Sequence, residues 1–254
     1  MSLPAPPGGD SSRAGPERRG GTPVAVLHED AALLAVDKPA GRIVIPGRGG
    51  GERSLAEELS TAYGRLWVVH RLDRGTSGVL LFARTAAAHR ALNLAFDRGE
   101  PRKRYLALVV GHPPAALRVD VPIAPARRGR MRPAPPGDAR GKPSATAFRV
   151  LELFPSRPWA GGPLALVEAL PETGRTHQIR VHLMHAGHPL AVDPDYGGDA
   201  PLRDAEGRAL LARTPLHAAE LTIGHPAGGA LVLRAPLPAD LAAALEALRR
   251  GGGA

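Results

Sequence analysis

Residues 70–82 read His70-Arg71-Leu72-Asp73-Arg74-Gly75-Thr76-Ser77-Gly78-Val79-Leu80-Leu81-Phe82. The first nine residues are polar and turn-forming, whereas residues 79–82 are an apolar run that is typical of a buried strand. A second apolar run, residues 66–69, precedes them. The sequence therefore predicts a polar loop between two strands, which is a common place for a functional site.

Asp73 is the candidate reactive residue of this loop. It stands between Arg71 and Arg74, and neighbouring cations keep a carboxylate ionised and available as a nucleophile or a base. The alternative is a solvated or capping residue, which is a frequent role for an aspartate in a turn.

Strands and helices alternate irregularly on both sides of the loop. Residues 24–27 and 33–36 predict a hairpin. Ser54 and Glu57 have capping-box spacing for a helix that ends near Gly64, and Thr85 is placed to cap a helix that stops by Gly99. Strands are also predicted at 105–110 and 164–167, and helices at 176–186 and around Leu241, Leu245 and Leu248. Because no strict βαβ rhythm is present, the predicted fold class is α+β.

The two ends of the chain differ from the rest in composition. Thirteen of residues 1–23 are Gly, Pro or Ser, a composition that buries too little apolar surface to offset the cost of ordering the backbone. We therefore predict a disordered tail at 1–23, one functional domain at 24–250 and a Gly-rich tail at 251–254.

The composition excludes several kinds of protein. The chain contains no cysteine, which excludes disulfides, iron–sulfur clusters, thiolate zinc sites and cysteine nucleophiles. It has no run of about eighteen apolar residues and no apolar stretch typical of a signal peptide. These features predict a cytoplasmic protein without a membrane role.

The positive charge is concentrated in two segments. The net charge is +9, which favours a polyanionic partner such as nucleic acid. Residues 127–142 contain six basic residues and one acidic residue, and residues 98–104 contain four basic residues and one acidic residue. Arginine greatly outnumbers lysine; this suits phosphate binding, although the composition bias of a GC-rich genome is an alternative explanation.

Other motifs are weaker. Residues 137–144 have the wrong glycine spacing for a phosphate-binding loop, and no Asp-Phe-Gly metal site accompanies residues 70–73, as a kinase would require. Four histidines occur in one segment: His177, His182, His185 and His188. None of them forms a His-Glu-x-x-His pair, so structural or RNA-facing roles are favoured over a metal site.

Residues 70–78 strongly resemble the H-R-L-D-x-x-T-S-G signature of RluA-type RNA pseudouridine synthases. Other segments resemble this family in the same order along the chain, and the matches run from about residue 24 to residue 238. They are Asp37-Lys38-Pro39-Ala40-Gly41, Lys103-Arg104-Tyr105-Leu106-Ala107, Thr173-Gly174-Arg175-Thr176-His177-Gln178-Ile179-Arg180, Gly187-His188-Pro189, Asp193-Pro194-Asp195-Tyr196-Gly197, Leu216-His217-Ala218 and His225-Pro226. Residues 42–46 and Ala191 depart from the family's usual pattern, which concerns the subfamily rather than the chemistry.

The resemblance implies the pseudouridine synthase catalytic fold, with a mixed, mainly antiparallel sheet flanked by helices and loops. It implies site-specific conversion of uridine in structured rRNA or tRNA into pseudouridine, without a cofactor or a metal. In this reaction the N1–C1′ bond is cut, the base rotates, and C5 joins C1′. RNA is the expected partner, and a monomer is expected.

The resemblance also assigns catalytic roles. Asp73 is the essential carboxylate, which attacks C1′ or abstracts a ribose proton. Tyr105 lies against the base and assists loss of the C5 proton. Arg180 pairs with Asp73, which agrees with the cost of burying a carboxylate without a cation. A surface position is the alternative for Arg180. If Thr176 caps the following helix, His177 and Arg180 share one face of it.

Several basic residues are expected near RNA. Arg71 is expected to fill the stack that a flipped base vacates, or otherwise to contact a phosphate, and Lys38 to have a structural role near the site. Further RNA contacts are expected at Arg74, Arg102, Lys103, Arg104, Arg127, Arg128, Arg130, Arg175 and His177.

Two other functions remain open from the sequence. One is a non-catalytic RNA-binding or ribosome-assembly factor on the same fold, which would not need Asp73, Tyr105 and Arg180 together. The other is a metal-dependent hydrolase built on the histidines, which chelators would inhibit.

Overall fold

The computed structural model of this chain describes residues 24–47 and 51–250. The predicted tails at 1–23 and 251–254 lie outside the described residues, as do residues 48–50. The strands are β1 (Ala25–Glu29), β2 (Leu33–Lys38), β3 (Trp67–Val68), β4 (Ser77–Ala83), β5 (Arg102–Val110), β6 (Ala116–Asp120), β7 (Ile123–Pro125), β8 (Met131–Pro133), β9 (Ala145–Arg157), β10 (Gly162–Pro171), β11 (Leu202–Arg203), β12 (Ala209–Leu211), β13 (Leu216–Gly224) and β14 (Ala230–Arg234). The α-helices are α1 (Leu55–Tyr63), α2 (Ala86–Asp97), α3 (Gln178–His185) and α4 (Ala239–Arg250).

Ten of the strands form one large sheet. Its order is β1-β2-β4-β13-β5-β10-β9-β6, with β14 paired to β13 and β3 paired to β4. The β4–β13 pair is parallel, and the other pairs described in this sheet are antiparallel. The predicted α+β class with a mixed, mainly antiparallel sheet is confirmed.

Helices cover both faces of the sheet because successive strand residues point to opposite faces. In β4, Leu81 packs in the core cluster that contains Leu92 of α2, whereas Leu80 packs in the cluster that contains Leu55 of α1. Strands β5 and β10 alternate in the same way between α3 and α4. This two-sided burial explains why the central strands are almost continuously apolar.

The predicted caps of two helices are confirmed. Ser54 caps α1 in a reciprocal capping box with Glu57, and the helix ends at Gly64. The Thr85 side chain accepts the backbone N–H of Ala88 at the start of α2. No helix within the described ranges is long and apolar enough to cross a bilayer.

The prediction for α3 is wrong at its beginning. Thr176 does not cap this helix; the N-cap is His177, whose backbone is left-handed (φ 55°, ψ 19°), and no side chain caps the helix. Histidine is one of the few residues besides glycine that adopt this conformation with some frequency. His177 and Arg180 nevertheless face the same cavities, and Ile179 and Leu183 pack in the core.

Gly78 permits the parallel contact between β4 and β13. It is paired with Ala218 and has a φ of +111°, and a Cβ at this position would lie 2.2 Å from the Ala218 carbonyl oxygen. A side chain of any size therefore strains the backbone and pushes the two strands apart.

We expect Gly78→Ala to destabilise the fold by about 3 kcal/mol or more, because backbone strain and a steric clash inside the sheet act together. Chemical denaturation measures this effect. Gly224→Ala is the matched control, since nothing lies within 4 Å of its added Cβ, and we expect it to change stability by less than about 0.5 kcal/mol. Equal stabilities of the two variants would contradict the role assigned to Gly78.

Candidate active site

The loop that carries Asp73 is anchored by a buried lysine. Lys38 is fully buried at the end of β2, and its Nζ donates to the carbonyl oxygens of Pro39, Arg74 and Thr76 at 3.0, 3.2 and 2.7 Å. Burial lowers the pKa of Lys38 to about 7, although the nearby Asp73 opposes this shift. The three carbonyl contacts bear out the structural role expected of Lys38.

His70 fixes the beginning of the loop. Its ring stacks on Phe96 with centroids 5.3 Å apart, and its Nε2 accepts the backbone N–H of Leu81 at 3.1 Å. A nitrogen that accepts this bond cannot hold a proton at the same time. Burial lowers the pKa of His70 to about 4.

Asp73 lies between two basic side chains of the α3 region. Its Oδ2 is 3.5 Å from Arg180 Nη1 and 3.8 Å from His177 Nε2, and its side chain is 25% exposed. The expected pairing of Arg180 with Asp73 is therefore present, but it is long for a hydrogen bond. A substrate can reach the carboxylate from the solvent side.

Arg180 is held mainly by two other carboxylates. Its Nε and Nη2 donate to Asp193 Oδ2 and Oδ1 at 2.8 and 2.6 Å, and Nη2 also donates to Asp195 Oδ2 at 2.7 Å. The guanidinium lies 4.9 Å from the centroid of the Tyr196 ring. Burial by itself would lower the pKa of Arg180, but Asp193 and Asp195 raise it above its usual value. Arg180 is buried, so its alternative assignment as a surface arginine is wrong.

Two cavities share the wall formed by Arg71, Leu72, Asp73, His177 and Arg180. The larger has a volume of about 510 Å³ and is also lined by Ile43, Pro194 and Arg213. The smaller has a volume of about 90 Å³ and is also lined by Lys103, Tyr105 and Arg175. Asp73, Tyr105 and Arg180, which are far apart in the sequence, thus border one continuous cleft.

Tyr105 lies on β5 at the narrow end of this cleft. Burial raises the pKa of its phenol, and the negative charge of Asp73 raises it further. The phenol is therefore protonated at neutral pH and offers both a ring face and an O–H group.

Four of the basic residues predicted to contact RNA lie at the cleft. Arg71 and Arg175 are exposed at the cleft, and Lys103 lines it while donating to the Thr173 carbonyl oxygen at 2.8 Å. Burial, together with Arg175, lowers the pKa of Lys103 to about 8. Arg74 is exposed at the rim and pairs with Glu52.

Arg102 and Arg104 lie on the opposite side of β5 from Lys103 and Tyr105, because side chains alternate along a strand. Arg104 binds the buried Glu168 at 2.5 Å, and Arg149 binds the same carboxylate at 3.0 Å. Arg104 therefore neutralises a buried acid on the face of β5 opposite Tyr105, and its expected contact with RNA stays a prediction.

The arginine-rich segment forms a hairpin close to the cleft. Arg127, Arg128 and Arg130 lie at its exposed tip between β7 and β8. Arg130 Nη1 donates to the Asp195 carbonyl oxygen at 3.2 Å, and the Met131 N–H donates to the Tyr196 hydroxyl at 2.7 Å.

Sequence reasoning gave no role to Asp193, Asp195 or Tyr196, although it identified their segment. A signal was available, since a buried guanidinium with five donors needs more than one acceptor. Two aspartates spaced by one residue shortly after α3 were the nearest candidates.

The four histidines considered for a metal do not converge among the described residues. The buried His182 ring lies 2.9 Å from Thr146 Oγ1 and 3.0 Å from the Val121 carbonyl oxygen. His188 Nδ1 lies 3.1 Å from the Val110 carbonyl oxygen. These are hydrogen-bonding roles within the fold, so this geometry does not favour the metal-dependent hydrolase.

A different cluster joins two hairpin turns at the far end of β2 and β13. His28 Nε2 and His225 Nε2 lie 2.6 and 3.0 Å from Asp30 Oδ2. Because His225 Nδ1 accepts the Ala227 N–H at 3.1 Å, a neutral His225 carries its proton on Nε2 and donates to Asp30. Burial opposes ionisation of Asp30, but hydrogen bonds from His28 and the backbone hold its pKa well below the usual range. The cluster is therefore accounted for as a hydrogen-bonded link between turns.

The low pKa of His70 predicts a pH-dependent stability. An unfolded histidine titrates near pH 6.5, so below that pH the unfolded chain takes up a proton that the folded chain does not. The free energy of unfolding should therefore fall as the pH is lowered from about 6.5 to about 4. We expect His70→Gln to reduce this slope by about 1 kcal/mol per pH unit in urea denaturation.

The exposed His185 supplies the control. His185→Gln should keep the slope of the unsubstituted protein. An unchanged slope in His70→Gln would show that His70 does not resist protonation in the folded chain.

Comparisons with known proteins agree with this geometry. Residues 32–185 match the family described as RNA pseudouridylate synthase. The ribosomal large subunit pseudouridine synthase D of Nitrosomonas europaea is 41% identical over an alignment of 238 residues, which covers 89% of this chain and 66% of that protein. The dual-specificity RNA pseudouridine synthase RluA of Escherichia coli (strain K12) is 38% identical over an alignment of 214 residues, which covers 83% of this chain and 92% of that protein.

A solved structure is similar as well. Human RNA pseudouridylate synthase domain containing 4 has a TM-score of 0.68 and 28% identity, and the likeness covers 88% of this chain and 92% of that one. The chain spans about two thirds of the length of the Nitrosomonas europaea relative. The named relatives are isomerases, which supports the catalytic interpretation over a non-catalytic RNA-binding factor. Since the matched segment contains Asp73, Tyr105 and Arg180, and the relatives extend the match over most of the chain, this protein belongs to the RluA-type RNA pseudouridine synthase family.

Proposed function

We propose that residues 24–250 form a catalytic domain that converts uridine in structured RNA into pseudouridine. The observation that carries this proposal is the position of Asp73, whose partly exposed carboxylate shares a cleft with the Tyr105 phenol and the Arg180 guanidinium. Substrate and product are isomers, so the reaction consumes no oxidant, reductant or co-substrate. The proposed enzyme uses no cofactor and no metal.

Asp73 starts the reaction in this proposal. Its carboxylate either attacks C1′ of the ribose or abstracts a ribose proton, and in both routes the N1–C1′ bond breaks and the uracil is released within the cleft. Arg180 pairs with Asp73 through the contact at 3.5 Å, so its positive charge faces the reacting carboxylate. After the base has rotated, C5 bonds to C1′. In the first route the ester bond between Asp73 and C1′ breaks at this step, and in the second the ribose regains its proton from Asp73. The C5 proton then leaves, and N1 gains a proton.

Tyr105 holds the free base and assists loss of the C5 proton. Its ring lies at the narrow end of the cleft, where a flat base can stack on it. The raised pKa of the phenol supports a role as a neutral group that donates and accepts a hydrogen bond.

Arg71 acts when the uridine leaves its helix. Enzymes that modify a base inside structured RNA extrude it first. Arg71 is exposed and borders both cavities, so its planar guanidinium can enter the vacated stack or bind a neighbouring phosphate.

The remaining basic residues supply an RNA path along the cleft. Seven of them border or approach the cleft: Arg74, Arg175, His177, Lys103 and the hairpin residues Arg127, Arg128 and Arg130. Arg102 is exposed at the beginning of β5 but, like Arg104, lies on the other face of this strand, so contact with either residue requires RNA that passes around the start of β5. The proposal includes a monomer that acts in the cytoplasm.

The substrate class is rRNA or tRNA. The similar proteins from Nitrosomonas europaea and Escherichia coli are named for ribosomal large subunit RNA and for dual specificity, which makes large-subunit rRNA the first substrate to examine. Pseudouridines should be mapped in RNA from cells that lack this protein, before and after its gene is restored. Restoration of the missing site by Asp73→Asn would refute the role of Asp73.

We expect Asp73→Asn to abolish tritium release from RNA that carries 5-tritiated uridine, with a loss of at least about 10³-fold, because an amide cannot serve as nucleophile or base here. RNA affinity should change much less. Asp97→Asn removes an equal charge from the exposed end of α2 and should keep full activity. A variant Asp73→Asn with more than a tenth of the normal rate would overturn the mechanism.

We expect Arg127→Ala combined with Arg128→Ala to weaken RNA binding and to flatten its salt dependence. Each lost phosphate contact should reduce the slope of log K against log [salt] by about 0.7 to 0.9. The control is Arg234→Ala with Arg249→Ala, which lowers the net charge equally at residues paired with Glu220 and Glu152. Equal slopes for the two double variants would contradict a specific RNA path over the hairpin.

A further inference from the structure

Tyr196 connects the arginine-rich hairpin with the residues around Asp73. Its half-buried hydroxyl accepts the Met131 backbone N–H from β8 at 2.7 Å. The same oxygen lies 2.7 Å from His177 Nδ1, and the two rings meet edge to face with centroids 5.6 Å apart. One hydroxyl group thus joins the hairpin to the N-cap of α3.

The direction of these hydrogen bonds follows from their donors. The Met131 N–H can only donate, so the tyrosine oxygen is its acceptor. The hydroxyl then has its own proton to donate, and the acceptor within reach is His177 Nδ1. When Nδ1 accepts a hydrogen bond in this way, a neutral imidazole carries its hydrogen on Nε2.

The Nε2 atom of His177 is the one that faces Asp73, at 3.8 Å from Oδ2. This distance lies just beyond hydrogen-bond range, and contacts of this kind often tighten only when substrate is bound. Burial lowers the pKa of His177, although Asp73 opposes the shift, which agrees with a neutral ring at neutral pH. The ring orientation depends on the left-handed backbone of His177.

A second link between the hairpin and the site runs through Asp195. Arg130 donates to its carbonyl oxygen, and the Asp195 carboxylate accepts from Arg180 at 2.7 Å. The hairpin therefore contacts two consecutive residues, Asp195 and Tyr196, that each touch a neighbour of Asp73. Its tip carries the exposed Arg127 and Arg128. A polyanion bound at the tip therefore contacts the same hairpin.

We propose that Tyr196 is a positioning residue. Its hydroxyl links the β7–β8 hairpin to the His177 ring, so a shift of the hairpin moves the ring. The hydroxyl also holds the ring as the Nε2–H tautomer, whose hydrogen points to Asp73. RNA contacts at Arg127 and Arg128 are thereby coupled to the arrangement of the reactive carboxylate. This coupling rests on the proposed function, whereas the tautomer of His177 does not depend on it.

Nitrogen NMR of the full-length protein labelled with ¹⁵N-histidine tests the tautomer directly. The chain has ten histidines, and His177→Asn identifies the signals of His177 while suiting the left-handed backbone. We expect a protonated Nε2 and an unprotonated Nδ1 in the unsubstituted protein. A protonated Nδ1 would overturn the proposal without any enzyme assay.

Tyr196→Phe removes only the hydroxyl and keeps the ring that packs on Arg180. We expect His177 to exchange between its two tautomers in this variant. In the tritium-release assay, kcat should fall about tenfold while KM changes less than twofold. Tyr63→Phe is the matched control, because Tyr63 is the last residue of α1 and packs against the core there. The His177 signals and the kinetics of this variant should match those of the unsubstituted protein.

A double-mutant cycle tests the coupling to RNA. Arg127→Ala with Arg128→Ala should raise KM and lower kcat, and the loss in kcat should disappear when Tyr196→Phe is already present. Independent, multiplicative effects on kcat would overturn the coupling. If the unsubstituted protein modifies no RNA, the proposed function fails, and the NMR measurement still decides whether Tyr196 sets the tautomer of His177.

Discussion

The parallel contact between β4 and β13 holds the two halves of the large sheet together. On one side of this contact lie the core clusters of α1 and α2, and on the other lie those of α3 and α4. Gly75 and Gly78 leave room for Thr214 and Ala218, respectively. The loop before β4 brings Asp73 to this junction, and β5 brings Tyr105 from the other side of β13. The cleft lies at this junction, where β4 and β13 begin and where the half of the sheet covered by α1 and α2 meets the half covered by α3 and α4.

Local signals in the sequence predicted much of this arrangement. Helices α1 and α2 begin with side-chain caps, so Ser54 and Thr85 marked them correctly, and the apolar runs of β2, β4 and β5 marked the central strands. The beginning of α3 was missed because a left-handed histidine carries no signal that distinguishes it from other residues. Motif resemblance identified Asp73, Tyr105 and Arg180, since contacts between such distant positions leave no local pattern.

Two features of the site follow from packing rather than from the motifs. Arg102, Lys103 and Arg104 are adjacent in the sequence, but the period of a strand places Lys103 and Arg104 on opposite faces; Arg104 pairs with the buried Glu168. The resemblance named Asp73 as the partner of Arg180 and gave no role to Asp193 or Asp195. Arg180 itself has the larger requirement, because burying a guanidinium with five donors calls for several acceptors. Asp193 and Asp195 supply most of them.

The left-handed backbone at His177 has a consequence for interpreting sequence variation. This conformation admits few side chains, chiefly glycine, asparagine, aspartate and histidine, so residue choice at position 177 is restricted before any chemistry is considered. A histidine retained at position 177 in related sequences would reflect both the backbone conformation and the chemical role of the ring. Replacements that fit this backbone conformation, such as asparagine or glycine, separate the effect of the conformation from that of the ring chemistry.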